Sequence, residues 1–192
     1  EIAHNKALIG IIVCALLFLL AQLSLSNMNN YIYPNYFGNV SAMSLANLAG
    51  MVVILVLSTF IVKLSAKVGK KELSVIGSII SAAAFLILFF IHTDNVWVWI
   101  VLVLISSVGT AMFNMVIWAM ITDVIDDSEV RTGVRQDGTI YSVYSFARKL
   151  GQACSSGISG VLLSIIGYTA ATAHDPKVVD GIYNVTCLVP AL

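Results

Sequence analysis

Two adjacent cations, Arg148 and Lys149, stand inside a stretch apolar and long enough to cross a bilayer, YSVYSFARKLGQACSSG from Tyr141 to Gly157. A guanidinium is a planar fork that grips a carboxylate through two parallel hydrogen bonds. An ammonium is a point charge on a flexible stem and swings between partners. Around the pair, Ser142, Ser145, Lys149, Gln152 and Ser156 recur at helical spacing as one polar stripe. Tyr141, Tyr144, Arg148 and Ser155 make an adjoining one. Each cation costs about 2.5–3.5 kcal/mol at the centre of a membrane helix. The pair must therefore face other protein or water, and a polar, cationic cavity at mid-membrane depth is where a carrier holds its substrate.

The rest of the chain supplies the membrane elements that such a pair requires. Of 192 residues, 59% are hydrophobic and 10% charged, against about 25% charged in a soluble domain. Lipid is the solvent for most of this surface. A formal net charge of zero excludes a basic footprint for nucleic acid. Cys14, Cys154 and Cys187 lie far apart in apolar sequence, show no metal spacing, and read as buried, inert thiols. No nucleophile with a base, no phosphate loop and no metal set points to an enzyme. The chain opens without methionine, carries no signal-peptide pattern, and its last apolar segment, Gly181 to Leu192, falls short of the ~20 residues of a span. We expect a piece of a larger protein.

The hydropathic runs predict spans at about 8–36, 41–62, 73–91, 96–121, 139–167 and a truncated 181–192. SNMNNYIYPNYFGN marks the first break, KLSAKVGKKE a basic loop, and TDVIDDSEVRTGVRQDG an acidic and basic loop. Trp97 and Trp99 open the fourth span where an aromatic belt belongs. Lys149 lies about ten residues into the fifth, roughly 15 Å deep and near the midplane of a ~30 Å core. Lys6, Lys63, Lys67, Lys70, Lys71, Arg131 and Arg135 fall on one side and only Lys177 on the other. The positive-inside rule makes the first side, with the N-terminal end, cytoplasmic. Ladders at four-residue spacing, Ala147-Gly151-Ser155 and Ser156-Gly160-Ser164, let a neighbouring helix approach closely.

From Thr122 onward the chain resembles the glycoside–pentoside–hexuronide:cation symporter family of the major facilitator superfamily. The family's acidic helix end, T-G-x-R and S-x-x-x-K-x-G are matched by Asp123, Asp126, Glu129, Thr132, Gly133, Arg135, Ser145, Lys149 and Gly151. Asp127 and Ser128 depart from it, standing where the family usually has Tyr and Gly. The resemblance implies an all-α integral membrane protein: the C-terminal six-helix bundle of a facilitator, helices 7 to 11 and the start of 12. It implies symport of a sugar, glycoside or hexuronide by alternating access in a bacterial inner membrane. The coupling cation, sodium or a proton, would be held by the N-terminal half, and no other cofactor is implied. Lys149 would serve both substrate recognition and coupling. Arg148, Ser145 and Tyr144 would line the sugar pocket. Asn114 stands where the family's melibiose carriers have an aromatic residue packed on the sugar, and Trp118, one turn on, offers a stacking face instead.

SFARKLGQA, Ser145 to Ala153, is similar to the S-F-x-R-K-x-G-Q-A of that family's glucuronide carriers, so Arg148 is expected to read a carboxylate. Asp123, Asp126, Asp127 and Glu129 match no calcium loop. Arg131 and Arg135 are expected to pair with them, or with acids of the absent half, as a cytoplasmic gate. Two rival readings stay open: a lysolipid-type facilitator carrier, and a non-transporting receptor or assembly protein that keeps the shell.

Overall fold

Asparagines open two of the helices. Asn39 Oδ1 accepts from the Ala42 amide at 3.1 Å and Asn95 Oδ1 from the Trp97 amide at 2.9 Å, satisfying donors that a helix N-terminus leaves without partners. The computed structural model describes residues 6–133 and 137–191, and among these there are helices and no strand. They are α1 (Lys6–Tyr31), α2 (Val40–Val68), α3 (Lys70–Ile91), α4 (Val96–Thr132), α5 (Asp137–Ile166) and α6 (Pro176–Ala191). The first five are long and apolar enough to cross a bilayer. The described part of α6 has 16 residues.

Two helix ends differ from expectation. The basic stretch is helical apart from Gly69, whose φ of +104° is open to glycine at no steric cost. Asp123, Asp126, Asp127 and Glu129 lie on α4, which runs to Thr132 and stops at left-handed Gly133, φ +71°. Hydropathy reports where the bilayer ends, but Lys, Glu and Arg are good helix formers and carry the helix into water. At the other end of the bundle, α1 passes into a π-turn at Ile32–Tyr36, and the Phe37 amide reaches the Ile32 carbonyl at 3.2 Å. Pro34 within it has no N–H to give and its ring crowds the carbonyl four residues back, which widens the turn.

Small residues set the closest crossing. A Cβ built on Gly109 would strike the Gly77 carbonyl, so α3 and α4 touch backbone to backbone, and Ser81 and Ser106 share a buried 2.7 Å hydroxyl contact one turn away. Tyr183 of α6 donates to the Leu88 carbonyl at 2.7 Å and accepts from the Thr93 amide at 3.1 Å, tying α6 to the α3–α4 turn. Around it pack Met28, Tyr33, Phe85, Trp99 and Ile182, all buried. Trp97 is exposed as a belt residue should be, whereas Trp99 is fully buried in this aromatic end. A second cluster joins α1, α4 and α5 nearer the basic end, through Ala15, Phe113, Ile117, Ile121, Ile140 and Tyr144. Outward faces are apolar: Leu48, Met51, Leu55 and Phe60 of α2 are each more than half exposed. Cys187 is buried as expected, but Cys14 and Cys154 are exposed.

Candidate functional site

Helix α5 divides into three sectors at about 100° per residue. Ile140, Tyr144, Ala147, Gly151, Ser155, Ser159 and Leu163 are buried. Phe146, Leu150, Val161 and Ile165 are exposed and apolar. Between these sectors lies an exposed polar one, with Ser142, Ser145, Lys149, Gln152 and Ser156. The stripe read from Tyr141, Tyr144, Arg148 and Ser155 is divided by packing: Tyr144 and Ser155 are buried, Tyr141 is exposed, and Arg148 lies half-buried on the boundary. Gly151 lets α1 come close enough that an added Cβ would lie 3.1 Å from Leu16 Cδ2.

Among the described residues Arg148 reaches aromatic rings rather than an acid. Its guanidinium carbon sits 5.1 Å from the centroid of the Trp118 ring on α4 and 5.8 Å from that of Tyr144, and the two rings meet edge to face at 5.4 Å. Trp118 is 45% exposed, so its ring stands at the edge of the open polar sector. The face expected to stack on a sugar is occupied here by a cation. Among the described residues neither Arg148 nor Lys149 forms an ion pair. Asn114 is partly buried one turn before Trp118. Its amide donates to the Thr110 carbonyl at 3.0 Å and to Gln22 Oε1 at 3.4 Å. Gln22, on α1, is a site neighbour that sequence reasoning did not name. A lone amide in an apolar run was its only signal.

The structure brings Lys149, Arg148, Ser145, Tyr144, Asn114 and Trp118 to the middle of α4 and α5, and keeps the acidic group apart. Asp123, Asp126, Asp127 and Glu129 lie on the last turns of α4, beyond Trp118 towards the basic end. Asp123 takes both its oxygens to Lys70 Nζ at 2.7 Å, a partner from the start of α3 absent from the sequence expectation. Both side chains are substantially exposed, 40% and 56%, so the pair adds little stability on its own. Asp126, Asp127 and Glu129 are each engaged by neighbours. Arg135 lies outside the described residues, and so does the Arg131 side chain. No group of three or more His, Cys, Asp and Glu that could hold a metal occurs among the described residues.

The whole chain, residues 1–192, matches the family described as MFS/sugar transport protein. It is 34% identical over 98% of its length to the uncharacterized symporter YjmB of Bacillus subtilis strain 168, and covers 41% of that protein. It is 35% identical over 65% of its length to the glucuronide carrier protein homolog of Escherichia coli strain K12, covering 27% of it. A putative sulfoquinovose importer of the same strain is 28% identical over 64% of the chain, which covers 26% of it. The chain thus spans well under half the length of these relatives. With five bilayer-length apolar helices and this match along its full length, the chain is a multi-pass membrane segment that belongs to the sugar-transport family of the major facilitator superfamily.

Proposed function

We propose that this chain is the substrate-holding C-terminal half of a cation-coupled carrier for an acidic sugar or glycoside, working by alternating access. One observation carries the reading: a bilayer-length helix exposes a polar sector holding Lys149, with Arg148 at its edge, and neither has an ion-pair partner among the described residues. Placing both at mid-membrane costs about 5–7 kcal/mol on insertion scales. Cation–π contacts with Trp118 and Tyr144 return about 0.5–2 kcal/mol each. The deficit calls for water, an anion, or carboxylates from the other half of the protein.

Arg148 supplies the carboxylate-reading fork. Lys149, one residue on and fully in the open sector, is placed to sense substrate and cation occupancy together. A sugar ring entering against Trp118 competes with the guanidinium for the same aromatic face and frees it to turn towards the substrate's acid group. Two similar proteins point the same way, since a glucuronide carries a carboxylate and sulfoquinovose a sulfonate. The coupling ion, sodium or a proton, is assigned to the other half. The basic end, with Lys63, Lys67, Lys70 and Lys71, faces the cytoplasm.

The test uses the complete gene in cells lacking sugar carriers. Uptake of a labelled aryl glucuronide and of its neutral glucoside is measured with and without sodium, for wild type and Arg148→Gln. We expect the glucuronide to be preferred, and Arg148→Gln to lose about 10- to 100-fold of its uptake, the worth of a charged hydrogen-bonding partner. Equal uptake of both sugars, unchanged by the substitution, would reduce Arg148 to an aromatic-packed structural cation.

A further inference from the structure

A cavity of about 250 Å³ opens between α1 and α5, lined by Asn27, Asn30, Tyr31, Ser156, Ser159, Gly160 and Leu163. It lies on the aromatic side of Arg148. Ser156 is eight residues further along α5, which is about 12 Å at 1.5 Å per residue. The lining carries no charge and mixes the amides and hydroxyls of Asn27, Asn30, Ser156 and Ser159 with apolar surface from Tyr31, Gly160 and Leu163. Asn27 Nδ2 donates to Ser159 Oγ at 3.2 Å, which leaves the Asn27 carbonyl oxygen and the Ser159 hydroxyl proton available. Ser156 and the Asn30 carbonyl oxygen add a hydroxyl and an acceptor. Tyr31, held edge-on by Tyr168 at 5.0 Å, forms an aromatic wall. No Cβ contact within 4 Å surrounds Gly160, so the space beside it is open rather than filled by a neighbouring helix.

Two occupants can be compared from the chemistry alone. An acyl chain would leave the amides and hydroxyls facing hydrocarbon without partners, which is costly. A ring of hydroxyls against amide groups and one aromatic face satisfies them. The volume is below the ~300–1,000 Å³ of sites that enclose a drug-sized ligand whole, so it suits one ring of a larger molecule. We infer that this α1–α5 cavity is a second carbohydrate subsite, taking a neutral, hydroxyl-rich ring linked to the acidic ring held at Arg148. The inference rests on the functional reading above and sharpens its substrate class: a uronate joined to a neutral sugar.

The experiment compares D-glucuronate with glucuronosyl-(1→4)-glucose, using the complete carrier, wild type, Gly160→Leu and Asn30→Ala. Gly160→Leu places a side chain in the cavity from a position with room for its Cβ. Asn30→Ala removes an amide without adding bulk, and reports even if the leucine variant fails to reach the membrane. We expect the wild type to take the two-ring compound with at least tenfold lower KM than free glucuronate. Gly160→Leu should erase that advantage while leaving one-ring uptake within about twofold, and Asn30→Ala should reduce it about three- to tenfold. Equal KM for the two compounds in wild type, or equal losses on both in the variants, overturns the subsite while leaving the acid-reading pocket intact. Failure of wild type to take either acidic compound overturns the functional reading and the subsite with it.

Discussion

Two ladders of small residues climb α5 and end in opposite surroundings. Ala147, Gly151 and Ser155 are buried, with Gly151 pressed on Leu16 of α1. Ser156, Gly160 and Ser164 have the same spacing and are exposed, and nothing lies within 4 Å of a Cβ on Gly160. Small-residue spacing thus marks a face that can be approached closely, without saying what approaches it. On the first ladder the partner is a helix of this chain. On the second, the space is left to a ligand or to protein that this chain does not supply.

The sharpest way to break the comparison is at the tightest packed glycine. In Gly109→Ala the new methyl meets the backbone carbonyl of Gly77, which cannot swing aside as a side chain can. The α3–α4 crossing must open, and we expect loss of more than about 3 kcal/mol, the upper end for overpacking. Gel filtration of the detergent-solubilised protein should show little monodisperse material. A normal yield would mean that the crossing is looser than described.

The two ladders can then be set against each other directly. Gly151→Leu forces Leu16 and α1 outward, for about 1–3 kcal/mol of destabilisation. Gly160→Ala adds its methyl in open space and removes a helical glycine, worth about 0.5 kcal/mol in the stabilising direction. Thermal midpoints of the two variants should therefore move in opposite directions. If both fall alike, Gly160 is packed against something in the complete protein and the contrast is lost.

Lys70→Met carries the smallest effect. Removing an exposed partner of Asp123 should cost about 0.2–1 kcal/mol, shrinking as salt is added. A salt-independent loss above that range would show that the pair is shielded in the whole protein.

The candidate site on α5 was visible in the sequence because its cations and hydroxyls share one helix and one period. Tyr144 is one turn before Arg148 and was legible as its neighbour. That Trp118 would be that cation's aromatic partner was not, since it lies on another helix thirty residues away and only tertiary packing brings the ring over the guanidinium. The same holds for Gln22 beside Asn114 and for Lys70 beside Asp123, pairs that no local pattern links. Spans were legible from hydropathy, whereas helix ends were not, because a charged helical turn and a charged loop read alike. Trp99 shows the converse: composition suggested an interfacial ring, and contacts from Met28, Tyr33 and Tyr183 made it core.

The continuous run of α4, 37 residues from Val96 to Thr132, has a mechanical consequence. At 1.5 Å per residue it is about 55 Å long, well beyond a ~30 Å hydrocarbon core. Trp118 and Glu129 ride on the same unbroken rod, about 16 Å apart along it. A tilt of about 10° pivoting at the tryptophan would sweep the acid through about 3 Å, enough to make or break an ion pair, by the geometry of that length alone. A rod of this kind needs no chain of intermediate side chains to carry a displacement from mid-membrane to its end. It acts as a lever.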